Sequence, residues 1–169
     1  ISEIRRHTPW RDARLLHRLD AETAGLILIA KHEAADRRWK KRLNRLVAVK
    51  EYYARVWGVP SWEHLEDFTP LSERDDSEIR TRMYPVSDAD SAVYRSVKQC
   101  HSEFDVIEKD GESALIRCRI HTGRKHQIRA HLATQGHPIV GDKIYSHDGS
   151  FYLKRLDAPL SAEDLQELG

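Results

Sequence analysis

HRLDAETAGLILIAK, residues 17–31, sets one carboxylate, Asp20, among basic neighbours and then runs straight into an apolar segment. Residues 26–30 are unbroken apolar and are bounded by Gly25 and Lys31. A run that short reads as a core strand, since a helix needs about ten residues or more and a strand buried on both faces need not alternate. The stretch therefore predicts Asp20 on a loop braced by the core. A loop fixed to a rigid strand places chemistry accurately. Pairing with Arg18 and His17 favours the ionised carboxyl, which suits a nucleophile. The plainer reading of the same residues is a surface ion pair between Arg18 and Asp20, with Asp20 as a turn residue.

Around this stretch lies a chain of 169 residues, 40% hydrophobic and 33% charged, which fits one globular domain with an ordinary core. No apolar run approaches the ~20 residues that cross a bilayer, so no membrane partner is expected. Cys100 and Cys118 are the only cysteines and form no CxxC pair. Neither a disulfide scaffold nor a zinc knuckle is indicated, and a reducing, cytoplasmic setting is expected. The chain opens on Ile1 with no charged-then-apolar leader, which predicts a fragment.

Net charge is only +1, yet its distribution is uneven. Residues 1–58 carry 14 basic against 7 acidic side chains, residues 59–113 carry 6 against 14, and residues 114–169 carry 8 against 6. The first segment is a candidate phosphate-binding face. The alternative is a solvated face balanced by acidic loops elsewhere.

In chain order, residues 1–16 read as an arginine-bearing entry loop. Residues 32–46 place Ala35, Trp39, Leu43 and Leu46 at helical spacing, with Glu33–Arg37 and Asp36–Lys40 as favourable i,i+4 pairs. The other face of that helix holds Arg38, Lys41, Arg42 and Arg45. Residues 49–58 alternate as a strand, with Tyr52, Ala54 and Val56 on one side. The acidic middle, 59–111, predicts loops with short strands at 92–98 and 103–108. Residues 114–120 alternate again, Ile116, Cys118 and Ile120 against Arg117 and Arg119. A helix is expected just past Gly123, its free N–H groups open to an anion, with Gly136 as its stop. Ser161 and the acids after it form a capping pattern for a last short helix.

Four histidines, His121, His126, His131 and His137, raise the question of a metal. His126 and His131 are five apart, about 140° around a helix, so one ion cannot take both from that helix. The zincin pattern, two ligands four apart around a Glu, is absent. A metal hydrolase is therefore the weakest of the readings, and no metal is expected.

Three blocks together resemble the RluA-type RNA pseudouridine synthases. HRLD with its turn Thr23-Ala24-Gly25 and the following strand resembles the family's HRLD, T-S-G and L-L-L-A-K, with Ala for Ser. Lys50, Tyr52, Ala54, Val56 and Gly58 match K-x-Y-x-A-x-V-x-G. HTGRKHQIRAHLATQGHPIVGDKIY, residues 121–145, matches T-G-R-T-H-Q-I-R-x-H-L through G-D-x-x-Y, with Lys125 for Thr. Ala92-Val93-Tyr94 fits a further family strand only loosely. Independent matches multiply their improbability, so an enzyme is the favoured reading.

The resemblance implies a mixed α/β (α+β) fold, a long, bent, mainly antiparallel sheet with flanking helices and a cleft across its middle. It implies one catalytic domain over residues 1–169, cut at both ends, since the family's N-K-P-x-G and L-H-A strands are missing. By the same resemblance Asp20 is the nucleophile on uridine, Tyr52 packs on the uracil and takes part in proton transfer at C5, and Arg129 pairs with Asp20. His17, Arg18, Thr23, Lys50, Arg124, His126 and Gln127 are implied for substrate binding. The expected partner is structured RNA, ribosomal or transfer, acted on by a monomer without cofactor. The alternative is an RNA-binding module of the same fold without the chemistry.

Overall fold

Alternation in residues 49–58 becomes strand in fact, and the sheet built on it organises most of the chain. The computed structural model describes residues 1–87 and 91–169; residues 88–90, in the acidic middle, lie outside the described residues. It divides into two compact units, Ile1–Ala48 and Val49–Gly169.

In the first unit, helix α1 (Ser2–His7) buries no side chain. Strands β1 (Arg14–Leu15) and β2 (Ile29–Ala30) pair antiparallel, Arg14 with Ala30 and Leu15 with Ile29. Ala13, Leu16 and Ala30 are buried, whereas Leu26 is 93% exposed and Ile27 and Leu28 are exposed too. The core strand expected over 26–30 is thus corrected to a two-residue ladder. Apolar character alone does not bury a run; a strand needs neighbours on both edges and layers on both faces, and this ladder is only two residues long.

Helix α2 (Glu33–Trp39) is capped by His32, whose Nδ1 accepts the Ala35 N–H at 3.2 Å. Glu33–Arg37 (3.1 Å) and Asp36–Lys40 (3.7 Å) form the expected pairs. The expected helix over 32–46 does not continue: from Lys40 to Arg45 it tightens to 3-10 geometry, and Arg42 leaves the helical region at φ −124°, ψ 26°. Arg37 with Lys41 and Arg38 with Arg42 would be like-charge i,i+4 pairs, which oppose the α-form there. Leu46, meant for the buried stripe, is exposed.

In the second unit, β3 (Glu51–Trp57), β4 (His64–Asp67), β7 (Ser102–Lys109) and β8 (Ser113–Ile120) form one antiparallel sheet ordered β3-β8-β7-β4, while β5 (Leu71–Ser72) and β6 (Tyr84–Pro85) make a separate ribbon. Register aligns Tyr52 with Cys118, Ala54 with Ile116, and Phe104 with both Cys118 and Leu65. This inward face joins Ala54, Val56, Phe104, Ala114, Ile116 and Cys118 in the core with Leu132. Leu132 belongs to helix α3 (Gln127–Thr134), and Ile128, one turn earlier, packs on the same cluster. The free edge of β3 is covered by residues 138–140: the Trp57 N–H donates to the Pro138 carbonyl and the Val140 N–H to the Arg55 carbonyl, both at 2.9 Å.

A second cluster gathers Leu71, Met83, Cys100, Ala130 and Tyr145 with Tyr152 and Leu153 of helix α4 (Ser150–Asp157). Helix α5 (Ala162–Leu168) opens with the expected capping box, Ser161 and Asp164 bonding reciprocally. The strand expected at 92–98 is corrected to a 3-10 turn, Ser91–Val93, followed by single bridges Arg74–Tyr94 and Leu71–Lys98. A side chain interrupts that ladder, because the Ser96 N–H donates to Ser72 Oγ instead of a carbonyl. The mixed α/β class is as expected, with antiparallel sheets throughout.

Candidate active site

Asp20 is half-buried on the loop between β1 and β2, and its carbonyl accepts the Thr23 N–H at 3.1 Å, closing a turn. The loop is held across its base. The Leu16 N–H donates to the Leu28 carbonyl at 3.0 Å, and His17 Nε2 accepts the Leu28 N–H at 3.1 Å. His17 thereby ties the loop to its own returning strand. Arg18 and Thr23 are exposed on the same loop.

In the second unit the 121–145 block builds around two buried side chains, Asp142 and Tyr145. Arg129 donates from Nε to Asp142 Oδ2 at 2.6 Å and from Nη2 to Oδ1 at 2.8 Å, a two-pronged ion pair. Asp142 also accepts the N–H groups of Ile144 (2.9 Å) and Tyr145 (3.1 Å). Burial pushes the Asp142 carboxyl up, but Arg129 and these two donors outweigh it and hold the group below the usual carboxylate range. Tyr145 lies under the Arg129 guanidinium at 5.1 Å, so the cation is fixed in plane and in depth.

His126 starts α3 from a left-handed conformation, φ 54°, and its Nδ1 sits 3.1 Å from the Tyr145 hydroxyl. The Met83 N–H donates to that same hydroxyl at 2.8 Å, so the Tyr145 hydroxyl joins His126 to the backbone at Met83. The helix therefore begins three residues later than expected past Gly123, because residues 124–126 form a turn. Gln127 locks this turn. Its Oε1 accepts from Thr122 Oγ1 (2.8 Å) and the Arg124 N–H (3.0 Å), and its Nε2 donates to the His101 carbonyl (3.0 Å) and Ser102 Oγ (2.8 Å). At 2% exposure with four bonds made to the protein, Gln127 shapes the loop. Lys50 reaches the same turn, its Nζ 3.7 Å from where a Cβ on Gly123 would stand. Arg124 Nε donates to the Gln99 carbonyl, and Arg124, Lys125, Lys98, Glu73 and Met83 line a cleft. Tyr52 is half-buried on the α3 side of β3.

The second unit thus brings together Arg129 with His126 around Tyr145, and Lys50 with the Arg124 turn held by Gln127. Asp20, His17, Arg18 and Thr23 share the loop of the first unit. Asp142 and Tyr145 received no role from sequence, although both stand in the G-D-x-x-Y end of the third block. Two further histidines of that block are occupied separately. His131 is fully buried between Ser102 Oγ and the Thr69 carbonyl, and His137 Nδ1 bonds the Trp57 carbonyl at 3.0 Å.

The family model described as RNA pseudouridylate synthase matches residues 3–134. The chain is 33% identical over 148 residues to the dual-specificity RNA pseudouridine synthase RluA of Escherichia coli strain K12, covering 86% of this chain and 62% of that protein. Against the protein of the same name from Vibrio cholerae it is 31% identical over 138 residues, covering 80% and 51%. The chain thus spans between half and two thirds of these relatives. Among solved structures, human RNA pseudouridylate synthase domain containing 4 superimposes with a TM-score of 0.65 at 28% identity, covering 93% of this chain and 59% of that one. Human RNA pseudouridylate synthase domain containing 1 gives a TM-score of 0.71 at 22% identity, over 84% and 59%, a likeness of fold alone. With the family match running from the first helix through α3, this chain belongs to the RNA pseudouridylate synthase family.

Proposed function

We propose that this chain is the catalytic part of an RNA pseudouridine synthase, isomerising uridine to pseudouridine in structured RNA, ribosomal or transfer, with Asp20 as nucleophile. The observation that carries the reading is the Arg129 guanidinium, fixed by two bonds to a buried Asp142 and by the ring of Tyr145. Two of its five N–H groups grip Asp142, and the fork is set in place before any substrate arrives. An arginine so held is suited to keep a second carboxylate ionised and oriented without reorganisation during the reaction. On this reading that carboxylate is Asp20.

The target base is flipped from its stack at a cost of a few kcal/mol, offset by stacking on Tyr52 and by contacts to its edge. Asp20 adds covalently to the bound nucleoside and the bond from N1 to the sugar breaks. The uracil turns, C5 bonds to the sugar, the bond to Asp20 breaks to return the free carboxylate, and the C5 hydrogen leaves as a proton with help from Tyr52. Arg18 and Arg124 hold phosphates, Lys50, His17 and Thr23 border the base and backbone, and His126 and Gln127 keep the Arg124 turn in shape. The chemistry as read uses no cofactor or metal. The chain acts as a monomer and as one domain in a reducing, cytoplasmic setting, which suits two buried thiols, Cys100 and Cys118, whose burial pushes their pKa up.

The test is release of tritium from RNA labelled at uridine C5. Asp20→Asn should lower release by at least about 10³-fold while RNA affinity stays nearly unchanged. Release that survives in Asp20→Asn removes the nucleophile assignment. RNA binding without any release by the unaltered chain favours the binding-module reading.

A further inference from the structure

Opposite the α3 face, the sheet turns a polar face to solvent, and at one end of it stand His101, Glu103 and His121. His101 precedes β7 by one residue and His121 follows β8 by one. The His121 N–H donates to the His101 carbonyl at 3.1 Å, so the ladder runs one step beyond both strands and sets the two histidines opposite each other. Strand alternation then returns Glu103 to the side of His101. Their ligand atoms all lie within 4.8 Å of one another.

Three further facts sharpen the arrangement. His101 Nε2 is enclosed and has no hydrogen-bond partner among the described residues; Glu66 Oε2 stands 3.7 Å from it. An enclosed ring nitrogen left unsatisfied is unfavourable, and a cation would satisfy it. The two imidazoles are stacked at 4.0 Å with Phe68 on the far side of His101 at 4.3 Å, so they stand parallel and close. Finally, Glu103 is gripped on both oxygens. His121 Nε2 is 2.6 Å from Glu103 Oε1, and Arg119 donates to the other oxygen at 3.0 Å. Register places Glu66 directly across from Glu103, so a second carboxylate completes the group.

We infer that His101, Glu103 and His121 form a binding site for a borderline-soft divalent ion of the Zn²⁺ class, with Glu66 or water in the fourth position. Two imidazoles and a carboxylate are the donor set that such an ion takes, whereas magnesium and calcium prefer oxygen alone. Binding turns each ring about its Cβ–Cγ bond so that both Nε2 lone pairs converge. The ion takes the place of the hydrogen bond between His121 Nε2 and Glu103 Oε1, and the neutral His121 ring keeps its one proton on Nδ1. Arg119 is a cation beside the site, and Glu51, 3.6 Å from its Nη2, offsets part of its charge. The effect is to clamp the ends of β7 and β8 at the root of the turn that carries Arg124. The site contains none of Asp20, Tyr52 and Arg129.

The experiment is calorimetric titration of the whole chain with Zn²⁺ at about pH 7.5. One equivalent is expected to bind saturably, and His121→Asn and Glu103→Gln should each weaken it by about tenfold or more. The double variant His101→Asn/His121→Asn should lose it. His64→Asn, on the same face but paired with Asp105 at 2.8 Å, should bind as the parent does. Circular dichroism of each variant separates lost ligands from lost folding, and Glu103→Gln, which leaves both stacked rings in place, carries the decision if a histidine variant fails to fold. Absence of saturable binding by the parent, or equal affinity in the parent and in folded variants, overturns the site.

Discussion

Asp142 is nearly enclosed, with 3% of its side chain exposed, and its charge is tolerated because Arg129 and two backbone N–H groups answer it. Removing Asp142 takes from the half-buried Arg129 guanidinium the enclosed carboxylate that grips it on two prongs, the costly half of the exchange. Asp142→Asn should therefore lower unfolding free energy by about 3 kcal/mol in urea. Replacing Arg129 as well, by Met, should recover part of that loss, because the guanidinium that lost this carboxylate is gone too. If the double variant is as unstable as the sum of the singles, the pair is not coupled as described. Arg129→Lys should also fail to restore the parent, since an ammonium cannot reproduce the planar fork.

Elements divide into those decided by local pattern and those decided by neighbours. In β3 and β8 a period of two puts Ala54, Val56, Ile116 and Cys118 inside, and residues alone are enough to read that. The capping box at Ser161 was equally readable. Residues 26–30 were not, because an apolar run states what would be buried but not whether a covering layer exists. The 32–46 helix failed on like-charge spacing visible in the sequence but weighed less than its apolar stripe. For the candidate site, Arg129 was legible through its motif. Asp142, 13 residues away, and the trio His101, Glu103 and His121 depend on a turn and a strand register that spacing does not reveal. Glycines at helix ends show the same division. Gly136 and Gly149 both hold φ of +83°, but a Cβ on Gly136 meets nothing, whereas one on Gly149 meets Ile79 and stands 3.1 Å from the Ile144 carbonyl. Gly136→Ala should cost about 1 kcal/mol from backbone conformation alone. Gly149→Ala should cost about 1–3 kcal/mol beyond that from overpacking. Equal urea midpoints for the two variants would show that the space around Gly149 adjusts freely.

Across the whole molecule, stability should carry a pH signature traceable to one buried histidine. Gln127 Nε2 donates to Ser102 Oγ, which donates to His131 Nδ1, and His131 Nε2–H donates to the Thr69 carbonyl. The chain of donors is satisfied only by a neutral ring. Burial is the main cause that lowers the His131 pKa from 6.5, and the nearby Asp67 carboxylate only partly opposes it. A base whose folded pKa is depressed binds fewer protons folded than unfolded, so its contribution is complete above the unfolded value. It declines as pH falls below 6.5 toward the depressed folded value. Asp67 and Asp142, also shifted down, behave oppositely in range: both are ionised folded and unfolded until pH nears 3.8, so they add little slope above it. Between about pH 6.5 and 5 the unfolding free energy should therefore fall with acid, at a limiting slope of about 1.4 kcal/mol per pH unit for one proton. His131→Gln is expected to be less stable at every pH, having lost part of the relay, but its curve should be flatter across this window. A variant curve parallel to that of the parent would assign the acid sensitivity to other groups and leave His131 as packing alone.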